Sequence, residues 1–137
     1  MSVGRYGREP VATMIFLAES RRRAPPGHTG RGVIARRWHG RVPAEKAQAY
    51  LALMRGVAIP DYRATPGNLG AWCLSRAEGG IVHVEMFSLW ESREAIARFA
   101  GEEIGRARYY DFDPDYLLEL EPHVMHFDAA GEGSRIR

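Results

Sequence analysis

Several features that define whole classes of protein are missing from this 137-residue sequence. Its one cysteine, Cys73, excludes an internal disulfide framework and any multi-cysteine zinc or iron–sulfur site, and it favours a reducing, cytoplasmic location. No apolar run approaches the roughly 18 residues that a membrane-spanning helix needs, so we expect no membrane partner. Glycine-rich phosphate loops and nucleophile elbows are also absent. The remaining composition, 45% hydrophobic and 26% charged, is typical of a globular protein.

The net charge is small, +2, but it is unevenly distributed along the chain. Residues 1–32 carry six arginines and two glutamates, whereas residues 33–128 carry 11 basic and 14 acidic side chains. The basic character therefore belongs to the N-terminal segment, and we expect no nucleic-acid partner. We predict a flexible basic leader over 1–32, or an extension ahead of the true translation start. One folded domain over 33–128 and a flexible tail over 129–137 follow.

Hydrophobic periodicity predicts alternating strands and helices in the domain. Val33–His39 is rich in strand-forming residues and ends before Gly40. Pro43 opens a helix whose apolar side chains recur at helical spacing until Gly56 ends it. The polar, turn-rich stretch Ile59–Gly70 is predicted to be a loop.

The second half of the domain is predicted to add a hairpin, a helical region and a last strand. Ala71–Arg76 and Ile81–Trp90 form the hairpin, and Ser92 caps a helix. A second short helix covers Glu102–Arg108, and Glu121–Phe127 is the last strand. The order β-α-β-β-α-β is the ferredoxin-like α+β arrangement, with helices on one face of an antiparallel sheet. The other face is left apolar and uncovered, which predicts a homodimer.

Four segments carry a family resemblance: VIARRWHGRVP (33–43), DYRATPGNLGAW (61–72), SLWESREAIARFAG (88–101) and LLELEPHVMHFD (117–128). Together they resemble the antibiotic biosynthesis monooxygenase domain family. The resemblance implies a dimeric α/β barrel, in which two ferredoxin-like sheets pack face to face. It also implies one of two chemistries: oxygenation of aromatic polyketides with no metal or flavin, or the binding and breakdown of haem.

The haem chemistry of the family depends on an Asn on the first strand, a Trp on the second helix and a His about ten residues later. The corresponding positions here are Arg36, Phe99 and Tyr109, and none of them matches. Only Tyr109 offers a side chain of a type that ligates haem iron. We therefore place haem binding or degradation below oxygenation, and we expect no cofactor.

Three residues are predicted to carry the chemistry: Arg36, His83 and Tyr109. Arg36 stays charged at working pH and would stabilise a developing oxyanion. Alternatively, it pairs with a carboxylate such as Glu85 and only fixes the sheet. His83 shares a strand face with Glu85, which would orient it as a general base. Alternatively, Glu85 pairs with an arginine at a dimer interface.

The predicted substrate site is an aromatic cleft, because a flat phenolic substrate needs an apolar pocket. Trp38 shares a strand face with Arg36, so both would point into one cavity. The residues predicted to bind substrate are Trp38, Trp72, Phe87, Phe99 and Tyr110. The alternative is that these aromatic residues only pack the core.

No metal site is expected from the acidic and histidine residues near the C terminus. His123 and His126 are three residues apart on a predicted strand, hence on opposite faces, and do not form a metal pair. The Asp111–Asp115 run resembles the start of a calcium loop, but Tyr116 replaces the required glycine.

We therefore predict a small cofactor-independent monooxygenase, an oxidoreductase, that acts on an aromatic or quinone-like metabolite. The alternative is a non-catalytic protein on the same dimeric scaffold that binds a small ligand or serves in stress defence, because a fold alone does not establish chemistry. The two hypotheses differ in outcome, since the first forms a product and the second only binds.

Overall fold

Four strands form one antiparallel sheet in the computed structural model, which describes residues 32–131. The predictions for residues 1–31 and 132–137 lie outside this range. The strands are β1 (Ile34–Pro43), β2 (Asn68–Glu78), β3 (Ile81–Trp90) and β4 (Met125–Asp128). Their order in the sheet is β2-β3-β1-β4, so β1 lies between β3 and β4. With its helical crossovers, this is the predicted ferredoxin-like α+β fold.

Helices cover one face of the sheet. The first crossover is a continuous helical run with four parts: a 3-10 turn (Ala44–Lys46), α1 (Ala47–Leu53), a π turn (Met54–Ala58) and α2 (Ile59–Ala64). The second crossover contains α3 (Arg93–Ala100). None of the described helices is long and apolar enough to cross a membrane.

The predicted helix end at Gly56 and the predicted loop from Ile59 are wrong, because the helical run continues to Ala64. Met54, Ala58 and Tyr62 recur every four residues and are all buried in the core. Their burial outweighs the poor helix propensity of the glycine. The proline that follows Ile59 is tolerated because it lies in the first turn of α2.

Several local predictions are confirmed. β3 has the predicted bounds, and Gly79 and Gly80 form the turn that joins it to β2. Gly79 has a φ of +64°, which glycine adopts without strain. The backbone N–H of Ala95 donates to Ser92 Oγ at 3.1 Å, so Ser92 caps α3 as expected.

The predicted helix over Glu102–Arg108 is not present. Gly101 adopts a φ of +94° and ends α3. From residue 101 to residue 124 the backbone is irregular, apart from a 3-10 turn at Asp113–Asp115 and an isolated bridge. This segment contacts β1, where the N–H of Leu118 donates to the carbonyl of Arg41 at 2.8 Å.

β4 begins four residues later than the predicted start at Glu121. The reason is that the preceding backbone pairs with a different partner. The carbonyl of Pro122 accepts from the N–H of Ala107 at 2.8 Å, and the N–H of Val124 donates to the carbonyl of Gly105 at 2.9 Å. Only the residues after this pairing join β1.

Side-chain alternation along β1 gives the sheet a helix face and an open face. The even-numbered residues of β1, Trp38 and Val42 among them, point to the helices and are buried in the core. The odd-numbered residues Arg37, His39 and Arg41 point to the open face and are only half-buried. Large apolar side chains on the open face are between 44% and 53% exposed: Trp72, Leu74, Met125 and Phe127.

Candidate functional site

Arg36 is a cation in the core of the domain. It lies between Ile34 and Trp38 on the helix face of β1, so strand alternation turns its side chain inward, where it is 1% exposed. Its Nη2 donates to the backbone carbonyl of Arg106 at 3.2 Å, while Nε and Nη1 find no hydrogen-bond partner within residues 32–131. Burial lowers the pKa of Arg36. Unsatisfied donors on a buried cation are costly, and an oxyanion placed there would satisfy them.

The alternative that Arg36 pairs with Glu85 is wrong. Glu85 lies on the open face, where its carboxylate is 3.3 Å from Nε of Arg37. The other alternative for Glu85, a pairing with an arginine, is confirmed by this contact. Whether the pair lies in a dimer interface stays a prediction.

A second arginine in the same region is neutralised by its own carboxylate. Nη1 of Arg108 lies 2.9 Å from Oδ2 of Asp61, a fully buried residue of α2. The Tyr110 hydroxyl donates to the same oxygen at 2.9 Å. Burial raises the pKa of Tyr110, so the hydroxyl keeps the proton that it donates. Asp61 therefore balances Arg108, and it leaves Arg36 without an ion pair among the described residues.

Phe99 connects the two arginines. Its ring centre lies 4.3 Å from Cζ of Arg108 and 5.8 Å from Cζ of Arg36, within the range of cation–π contacts. Tyr62 packs against the ring with 4.2 Å between centroids. We name the following set the arginine cluster: Arg36, Asp61, Phe99, Arg108 and Tyr110.

His126 borders the arginine cluster on β4. It lies directly opposite Arg36 in the β1–β4 ladder, so both side chains point to the helix face. Its Nε2 is buried and has no hydrogen-bond partner in the described part of the chain. Burial and the charges of Arg36 and Arg93 lower the pKa of His126 to about 4. The imidazole is therefore neutral at pH 7.

Tyr109 lies beside Trp38 on the helix face, but its hydroxyl is already engaged. The two rings meet edge to face with centroids 6.0 Å apart, and the hydroxyl donates to the backbone carbonyl of Glu121 at 2.5 Å. Burial raises the pKa of Tyr109 to about 12. A phenol held in this way does not fit the role of an axial ligand to haem iron.

His83 lies on the open face, in a chain of four hydrogen-bonded side chains. Oε2 of Glu121 is 2.8 Å from Nδ1 of His39. Nε2 of His39 is 3.0 Å from Nδ1 of His83, whose Nε2 is 2.8 Å from Oε1 of Glu78. A cavity of about 410 Å³ beside this chain is lined by Arg37, His39, Leu74, Ser75, Arg76, His83 and Glu85.

The residues predicted to form one site are divided between the two faces of the sheet. The helix face holds Arg36, Trp38, Phe99, Tyr109 and Tyr110. The open face holds Trp72, His83 and Phe87, with the rings of Trp72 and Phe87 6.0 Å apart. Because the sheet lies between the two groups, the structure does not bring Arg36 and His83 into one cavity of the protomer. The catalytic roles of these residues stay predictions.

Three residues of the site on the helix face were missed by sequence reasoning. Asp61 lay in a stretch interpreted as a loop, and Arg108 at the end of a predicted helix that does not form. The helical spacing of Met54, Ala58 and Tyr62 was a signal in the sequence for α2, and hence for Asp61. His126 was placed on a strand correctly, but its neighbour depends on the pairing register.

The fold has a counterpart among solved structures. The crystal structure of a "Putative Antibiotic Biosynthesis Monooxygenase" from Bacillus cereus matches this chain with a TM-score of 0.53 and 18% sequence identity, over 77% of this chain and 100% of that one. This chain has the fold of that protein. No protein-family model matches the sequence, and no curated protein matches it. The structural match agrees with the ferredoxin-like fold of the protomer that the family resemblance implies, and the dimeric barrel stays a prediction.

Proposed function

We propose that the protein is a small monooxygenase that acts on an aromatic or quinone-like metabolite in the cytoplasm, without a bound metal or flavin. The observation that carries the proposal is Arg36, a buried guanidinium beside the ring of Phe99, with two donor nitrogens that have no hydrogen-bond partner among residues 32–131. The shared fold with a protein named as a monooxygenase supports the same class of reaction.

The proposed chemistry starts from an electron-rich phenol or enol. Its oxygen would accept a hydrogen bond from either Nε or Nη1 of Arg36, which stabilises the anion in a site shielded from water. The ring of Phe99, 5.8 Å from Cζ of Arg36, would border a flat substrate bound there. With an anthrone, one atom of O₂ enters the product quinone and the other leaves as water with two substrate hydrogens. The substrate supplies all the electrons, so no external reductant is needed.

A panel of anthrones and hydroquinones under oxygen tests the proposal. We expect the wild-type protein to form quinone and to consume oxygen in equal amounts. Arg36→Ala should lower the initial rate by about 100-fold, as loss of an oxyanion donor does elsewhere. Arg55→Ala is the matched control, because it removes an exposed arginine from the helical run and should leave the rate unchanged. A wild-type protein that turns over no member of the panel would count against the proposal.

We also propose that the protein is a homodimer formed through the open face. The exposed apolar residues of that face are flanked by the ion pairs Arg37–Glu85 and Arg41–Glu119, a distribution typical of interfaces. Analytical ultracentrifugation provides the test. The wild-type protein should sediment as a dimer and Leu74→Arg as a folded monomer, whereas a monomeric wild-type protein would contradict the proposal.

One observation favours a second candidate function, a binding protein without catalysis. The two predicted catalytic partners of Arg36 are not available to a ligand on the helix face, since His83 lies on the open face and the Tyr109 hydroxyl is bonded to Glu121. This candidate predicts saturable binding of an aromatic ligand with no product. Equilibrium binding of an anthrone under argon, followed by admission of oxygen, separates the two functions.

A further inference from the structure

We propose that Arg36 and His126 together bind and ionise one acidic hydroxyl group of a ligand, a phenol or an enol. Arg36 holds the oxygen, and Nε2 of His126 takes the proton. The inference rests on the proposed function, for which it supplies the base. It assigns that role to a residue on the helix face in place of His83.

The charges of the helix face favour an anion beside Arg36. Asp61 is held by Arg108 at 2.9 Å. Asp113, the other carboxyl group that is buried among the described residues, accepts from the Tyr50 hydroxyl at 2.7 Å, and burial raises its pKa. Within residues 32–131 neither carboxyl group reaches the free donors of Arg36, which is 1% exposed. A buried cation in this state binds an oxyanion more favourably than an exposed one, because its donors are already stripped of water.

His126 is placed to take a proton from a group bound at Arg36. The two residues are direct partners in the β1–β4 ladder, a relation that brings Cβ atoms to about 5 Å. The charged groups that act on the imidazole are Arg36 from β1 and Arg93 from α3. Asp128, the exposed acid two residues along β4, lies 3.8 Å from Arg93. With its proton on Nδ1, the imidazole presents a lone pair at the buried Nε2.

The transfer is balanced in atoms and charge. The O–H bond of the ligand breaks, an N–H bond forms at Nε2 of His126, and the electron pair of the broken bond stays on oxygen. A neutral phenol and a neutral imidazole become a phenolate and an imidazolium. Burial is the main cause of the low pKa of His126 and the charge of Arg36 is the next, and the phenolate offsets this charge. Binding and protonation therefore favour each other.

The test uses 4-nitrophenol, whose phenolate absorbs visible light and which needs no oxygen. At a pH where the free probe is mostly protonated, we expect addition of wild-type protein to produce the phenolate band in a saturable manner. In parallel, the NMR signals of the His126 ring should move to the imidazolium position with the same dissociation constant. Signals are assigned by comparison with His126→Gln.

The variants separate the two roles. His126→Gln should abolish the phenolate band at this pH. Arg36→Met should weaken probe binding by about tenfold or more, as expected for loss of a charged hydrogen-bond donor. Arg36→Lys keeps the charge with fewer donors and serves if the Met variant fails to fold. His123→Gln, an exposed histidine on the same segment, is the matched control and should behave as the wild type.

Three results would overturn the inference: no binding of the probe to wild-type protein, binding of the probe as the neutral phenol, or an unchanged band in His126→Gln. The proposed monooxygenase function is tested separately, by incubating the protein with an anthrone under oxygen. A protein that ionises the probe and oxidises no anthrone contradicts the monooxygenase proposal alone. A protein that oxidises anthrones equally well in His126→Gln contradicts this inference alone.

Discussion

The arginines on the two faces of strand β1 differ in their burial and in their ionic partners. On the open face, Arg37 and Arg41 are half-buried and each contacts a carboxylate, at 3.3 and 2.7 Å. On the helix face, Arg36 is buried almost completely and contacts one backbone carbonyl. Partly exposed pairs contribute little to stability, whereas a buried cation with unsatisfied donors destabilises the fold. The destabilising cation lies beside Phe99 and His126. Because a bound anion would satisfy its donors, we place the ligand site there.

The largest expected effect comes from breaking the buried ion pair between Arg108 and Asp61 on the helix face. Asp61→Asn leaves Arg108 facing a neutral amide, and we expect the free energy of unfolding to fall by about 3 kcal/mol. The matched change on the open face is Glu119→Gln, which removes the partner of Arg41 and should cost less than about 1 kcal/mol. Urea unfolding at constant m-value measures both. Equal losses of unfolding free energy in the two variants would contradict the proposed difference between the buried and the partly exposed ion pair.

Removal of Arg36 should not lower the free energy of unfolding, in contrast to the Asp61 variant. Arg36→Met takes an uncompensated charge out of the core and keeps most of the volume, so we expect stability to stay constant or to rise by up to about 2 kcal/mol. Arg37→Met loses an exposed pair and should cost less than about 1 kcal/mol. The same unfolding measurement applies. A loss above about 2 kcal/mol in Arg36→Met would show that the guanidinium is well paired.

A smaller change in stability is expected when the pH is lowered, because His126 takes up a proton on unfolding. The pKa of His126 is lowered to about 4 in the folded protein, against about 6.5 for an unperturbed histidine. Between these values the unfolded chain binds a proton that the folded protein does not, so stability falls as the pH drops from about 6.5 to 4. In His126→Gln this part of the fall, roughly 1–2 kcal/mol after allowance for partial solvent screening, should disappear. Identical pH profiles in wild type and variant would contradict the assignment.

The fold was predictable where local signals and tertiary packing agree. The strand β3, the glycine turn before it and the cap at Ser92 follow from alternation, turn residues and a capping hydroxyl within a few positions. The helical run through Gly56 was not predictable from propensity, because the burial of Tyr62 against Phe99 and Trp90 stabilises it from outside the segment.

The candidate site was only partly predictable for the same reason. Arg36 and Trp38 share a face by parity within one strand, so the sequence suffices. His83 lies on the other face of the sheet from Arg36 and Trp38. This placement depends on the register in which β3 pairs with β1. His126 joins Arg36 only because the backbone before β4 pairs elsewhere and starts the ladder at Met125. Such contacts arise from the assembled sheet.

The central claim is that the ligand site lies on the helix face, around Arg36. The most direct test compares initial rates of anthrone oxygenation in Arg36→Met and His83→Gln at equal concentrations of folded protein. We expect a loss of about 100-fold in the first variant and a rate within about twofold of the wild type in the second, since removal of a half-exposed side chain away from the site has little effect. A normal rate in Arg36→Met together with a large loss in His83→Gln would move the site to the open face and contradict the account.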